Sequence, residues 1–99
     1  MALIQVIQDM IDAGTRCDPF NCALAIGIKS HLREGASVSV RDDFIEFLKR
    51  DANSPWCVHC LFPTPPDCQR FMYEFDSGRA EPFTTRIPIP LSLLRGPIT

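Results

Sequence analysis

The sequence predicts an α+β fold, with helices and short antiparallel strands in one small domain of 99 residues. Three observations lead there. The first third of the chain spaces its apolar residues as helices do, and the middle holds short β-branched and aromatic runs between turn signals. A further helical pattern then opens at Pro65 and Pro66 and precedes a last β-prone run.

Leu3, Ile4, Val6, Ile7, Met10 and Ile11 recur at spacings of three and four, opposite Gln5, Gln8, Asp9 and Asp12. This pattern predicts an amphipathic helix ending near Ala13, with Gly14 as a left-handed cap. A second helix is expected from Phe20 to Leu32. Asp18 and Pro19 supply a capping carboxylate and a first-turn proline, Phe20, Leu24, Ile28 and Leu32 form the buried stripe, and Gly35 stops the element. Gly27 inside it marks a close packing contact.

Ser37 to Val40 alternates with period two and reads as a strand. Asp43 to Arg50 fits either a short helix or a strand, and its aromatic content favours the strand. Asp51 to Pro55 reads as a turn, and Trp56 to Phe62 as the second arm of a hairpin. Thr64 and Pro65 open a third helix running to about Phe75 on Cys68, Phe71, Met72 and Phe75, with Gly78 beyond its end. Pro82 and Phe83 start a final strand through Ile87. The expected sheet is small and antiparallel, with about four strands and the helices on one face, in a compact body over residues 1–86. Residues 87–99 form an extended tail, because Pro88, Pro90 and Pro97 exclude a regular helix or central strand. Its Leu91, Leu93, Leu94 and Ile98 are too apolar for a solvated segment, so the tail either packs on the domain or makes a homodimer contact.

Composition narrows the function classes. Apolar residues make up 45% of the chain and charged residues 22%, as in ordinary globular proteins. The formal charge is −2, with ten basic and twelve acidic residues dispersed along the chain, so no dense positive field exists for phosphates and nucleic acid is not expected as a partner. No apolar stretch approaches the roughly 20 residues of a membrane span. An odd count of five cysteines and an N-terminus without a basic, apolar leader predict reduced thiols and a cytoplasmic location.

Cys57-Val58-His59-Cys60 is the sharpest chemical motif, and Cys17 with Cys22 offers a second pair. Four soft ligands would suit tetrahedral zinc. On a regular strand, however, Cys57 and Cys60 face opposite ways, so chelation would require a turn. A thioredoxin-like pair would need a helix N-terminus to acidify its first thiol, and a Cys-His hydrolase would need an orienting group and oxyanion donors beside His59. Asp42 and Asp43, and Glu74 with Asp76, read as turn and cap acids. The remaining signal is aromatic and aliphatic: Trp56, Phe62, Tyr73, Leu91, Leu93 and Leu94 are the candidate protein-binding residues.

Four segments, Asn21 to Ile26, Val38-Ser39-Val40, Phe75-Asp76-Ser77-Gly78 and Glu81-Pro82-Phe83, give the stretch from about Phe20 to Ile87 a familiar order. It resembles a group of small bacteriophage and prophage proteins of unknown function. Ala23 stands where those proteins carry a proline, and the Cys57–Cys60 run has no counterpart in them. The resemblance implies a phage-type accessory protein with no assigned catalytic residues, of the sort that binds and blocks host machinery such as CRISPR effectors. The expected function is therefore a non-enzymatic protein-binding module that inhibits a host defence complex. A zinc-binding or thiol-redox protein using Cys17, Cys22, Cys57 and Cys60 is the alternative.

Overall fold

A computed structural model describes residues 1–51 and 55–96. The elements run β1 (Ala2–Val6), α1 (Gln8–Ala13), α2 (Ala23–Lys29), β2 (Ala36–Val40), β3 (Phe44–Lys49), β4 (Cys57–Pro63), α3 (Pro66–Asp76) and β5 (Phe83–Ile87), followed by a short 3₁₀ turn over Leu91–Leu93. The α+β class is as expected, and so are the β3–β4 hairpin, the third helix and the last strand. The strands, all antiparallel, divide between two sheets, β1–β5 and β2–β3–β4.

The N-terminus corrects the sequence reading. Residues 2–6 are a strand, and only Gln8–Ala13 is helical. Ile4 and Val6 are buried while Leu3, Gln5 and Ile7 are exposed, a period of two that the apolar Leu3 and Ile7 disguised as a helical stripe. The β-branched pair fits a strand, and β5 supplies the partner, with Ile4 opposite Thr85 and Val6 opposite Phe83. The last strand therefore does not return to the main sheet, and the single sheet of about four strands becomes one of three and one of two.

The second helix is shorter than its stripe suggested. Asp18 caps a preceding turn instead: its carboxylate accepts from the Phe20 N–H and the Asn21 amide, and its carbonyl accepts from the Cys22 N–H at 2.9 Å. The helix proper starts after Cys22. Leu24, Ala25 and Ile28 are buried in it, and Gly27 lets it lie on β1, where a Cβ would come within 3.2 Å of Ile4 and 3.3 Å of Val6. Gly14 is not a left-handed cap, since its backbone is extended. It is small because a Cβ there would stand 2.7 Å from the Ala23 backbone nitrogen and 2.8 Å from the Phe75 ring. Gly78, with φ of 77°, does close α3 as a left-handed residue. Thr64 does not cap α3; its hydroxyl donates to the Arg41 carbonyl at 2.7 Å.

One buried cluster joins both sheets and the helices through Ile4, Leu24, Ile28, Phe47, Phe71 and Phe75, among others. The tail belongs to it, with Ile87, Ile89 and Leu93 buried. The Arg33 N–H donates to the Leu93 carbonyl, the Arg95 N–H donates to the His31 carbonyl, and Leu32 bridges Leu94, which straps the tail to the end of α2. Pro97 and Ile98, and most of the turn expected between Asp51 and Pro55, lie outside the described residues.

Candidate protein-binding surface

Side chains of β2, β3 and β4 sort onto two faces. Val38, Val40, Ile45, Phe47, Cys60 and Phe62 point into the core, where the Phe47 and Phe62 rings stack at 5.9 Å. The opposite face carries Phe44, Glu46 and Leu48 of β3, beside Val58 and Leu61 of β4. Val58 and Leu61 are 51% and 52% exposed, and Phe44 is also exposed. Glu46 pairs with Arg41 at 3.6 Å toward the β2 side, which leaves the β3–β4 side of this face apolar.

Among the described residues the edge beyond β4 is open as well. The Thr64 N–H donates to the Asp43 carbonyl, and the Arg41 N–H donates to the Phe44 carbonyl. Antiparallel ladders alternate, so odd-numbered β3 residues bond β4 and even-numbered ones bond β2. Cys60 and Phe62 spend their backbone groups on Phe47 and Ile45, while Leu61 between them directs both its N–H and its C=O at the free edge. Among the described residues, no backbone group bonds to β4 from that side. The strand Cys57–Pro63 carries no Asp, Glu, Lys or Arg.

The sequence-predicted binding residues do not form one patch. Trp56 is exposed just before β4, with the Arg50 guanidinium 5.3 Å from its ring centre. Phe62 is half-buried on the core side. Tyr73 is 67% exposed on α3 under Arg79, apart from the sheet face. Leu93 is fully buried and offers no surface, Leu94 is half-buried, and Leu91 stands out at 86% exposure. Phe44, Val58 and Leu61 were missed. Alternation along β3 and β4 could have found them, had the interruption at His59 been visible.

That interruption also changes the thiol geometry. Phe47 pairs with Cys60 but Leu48 pairs with Val58, so His59 is an extra residue in a bulge. Cys57 and Cys60 consequently oppose Lys49 and Phe47 and share a face, contrary to the expectation for a regular strand. No third ligand joins them: among the described residues, no three His, Cys, Asp or Glu side chains are grouped to hold a metal ion. All five cysteines are free. Burial raises the Cys60 thiol above the ordinary range. It also raises Cys22, where desolvation outweighs the backbone N–H groups of Ala25 and Leu24 that favour the thiolate. Cys68 is pushed up to about 11 by burial.

A pocket of about 290 Å³ lies between the 17–22 loop, the β2–β3 turn and α3. Cys22, Phe71, Met72 and Phe75 line it with Asp42 and Asp76, so the Asn21–Ile26 and Phe75–Gly78 segments meet there. Asp76 accepts the N–H of Cys17 at 3.0 Å, holding that residue at a φ of 58°. Asp76 thus anchors the loop, and no nucleophile–base pair forms in the pocket. No helix among the described residues is long and apolar enough to cross a membrane. No protein-family model, curated protein or solved structure matches the chain.

Proposed function

We propose that the protein is a non-enzymatic protein-binding module, a phage-type inhibitor that docks on a host defence complex in the cytoplasm. The observation that carries this reading is the open apolar face of Phe44, Val58 and Leu61, with half-buried Leu48 beside them, on a sheet whose other face is a packed core. Apolar side chains presented from rigid strands bind protein with little ordering cost, and they offer nothing to phosphates or to a reacting small molecule. The thiols raised by burial and the acids spent on turns and loop anchors fit a binding role better than a catalytic one.

The test is co-purification from host lysate with tagged protein and with Phe44→Lys, a substitution at an exposed site that leaves the core intact. A stoichiometric partner should be captured by the parent chain and lost about tenfold or more by the variant. Equal capture by both, or no partner at all, would refute the reading. The alternative is a zinc or thiol-redox site, supported by the shared face of Cys57 and Cys60. Metal below about a tenth of an equivalent in protein purified without added zinc removes it.

A further inference from the structure

The free edge of β4 poses a separate question from the apolar face, because its unmet demand is for hydrogen bonds in the plane of the sheet. Natural edge strands are guarded by charge, by proline, by bulges or by a covering element. Among the described residues the bulge at His59 and Pro63 at the strand end are the only guards, and between them Cys60, Leu61 and Phe62 run without charge. We infer that this edge pairs with the same edge of a second copy, antiparallel about a two-fold axis at Leu61, joining two three-stranded sheets into one.

Three features select a second copy as the occupant. Leu61 presents both backbone groups outward, so at a two-fold it donates to and accepts from its own counterpart, closing a ring of two hydrogen bonds. Pro63, two residues on, can accept but not donate, and the axis sets it opposite the bulged His59 of the other copy, so the pairing is short and centred on Leu61. An uncharged strand also meets itself without the like-charge repulsion that prevents most edges from self-pairing. The two Leu61 side chains then meet on the outer face and make the Phe44, Val58 and Leu61 patches of both copies continuous. The tail, with Leu93 in the core, is replaced by β4 as the contact between copies.

Sedimentation equilibrium under reducing conditions tests this with a charge-swap pair. The parent chain should be a dimer at ~50 µM, whereas Leu61→Lys and Leu61→Glu, which set like charges face to face, should each dissociate at least about tenfold more readily. Mixing the two variants in equal amounts should restore a dimer. A parent chain that is monomeric at this concentration, a Leu61→Lys protein that still dimerises, or a mixture that stays monomeric would each overturn the inference. None of these outcomes bears on partner capture through Phe44, which lies on β3 and is read separately.

Discussion

The two sheets are built from similar material and finished differently. The inner faces of both are closed against the same core, β1–β5 with Ile4, Val6 and Ile87, and β2–β3–β4 with Val38, Ile45 and Phe47. Their outer faces diverge. On the smaller sheet Gln5 pairs with Thr84 and Leu3 with Arg86, so within the paired strands Leu3 sits among polar residues, with Ile7 exposed just past the end of β1. On the larger sheet Phe44, Leu48, Val58 and Leu61 lie together, and the adjoining edge has no charge. Folding requires only the inner faces. An outer face that is also apolar along β3 and β4 has no such use in the fold, which is why the larger sheet is the candidate interaction surface.

The largest effect should separate the two faces of that sheet. Phe47→Ala removes a fully buried ring from the inner face and should cost about 3–5 kcal/mol in urea denaturation. Val58→Thr, on the outer face, keeps the branched β-former and should change stability by no more than about 0.5 kcal/mol at low-micromolar protein. A large loss at Val58 would mean that this face is already covered within the chain, and the contrast between the sheets would fail.

At the smaller sheet the decisive position is Gly27, where α2 rests on β1. Alanine there would gain up to ~1 kcal/mol of helix propensity. Its Cβ would however press on the Ile4 and Val6 methyls, which strand pairing and burial on both sides hold in place. Overpacking of this kind costs about 1–3 kcal/mol, so the net result should be a loss near 1 kcal/mol, read as a lower denaturation midpoint. A gain would show that β1 yields more readily than its burial implies.

Much of this architecture was legible in the sequence, and the failures share one cause. β2, the β3–β4 hairpin, α3 and β5 were each marked by local signals: alternation, turn residues, the prolines at 65 and 66, and the cap at Gly78. What local signals could not convey was partnership. Residues 2–6 satisfy a helical and a strand period at once, and only the presence of β5, some eighty residues away, decides for the strand. The candidate surface was lost similarly, since the bulge at His59 resets which of β4's residues face outward and moves Cys57 onto the face of Cys60. Tyr73 and Leu91 were recognisable as large and exposed, yet Leu93, of the same type as Leu91 and two residues from it, is in the core on a segment that the Arg33 N–H ties to the end of α2 through the Leu93 carbonyl.

The smallest effect compares one chemical group in both regions. Cys60, on the larger sheet, and Cys68, which links α3 to β5 of the smaller one, are both raised by loss of water; Cys68, the buried one of the two, is pushed up to about 11. Its sulfur lies 3.7 Å from the Thr85 hydroxyl, which in turn donates to Asp67 at 2.6 Å. With that proton spent on Asp67, burial and the Asp67 charge keep the thiol protonated. An unfolded thiol ionises from about pH 8.5 upward, whereas the folded one holds its proton to about 11, so the folded state binds the extra proton between those limits. Stability from this source is complete below the unfolded value and falls as pH rises through the folded one. Cys68→Ala should therefore flatten the decline of stability measured between about pH 8.5 and 10.5, while Cys60→Ala should flatten it less. Other alkaline groups titrate alike in all three proteins and cancel in the differences. Equal slopes for the parent and Cys68→Ala would mean that water reaches the α3–β5 contact, leaving the smaller sheet no better sealed than the edge of the larger one.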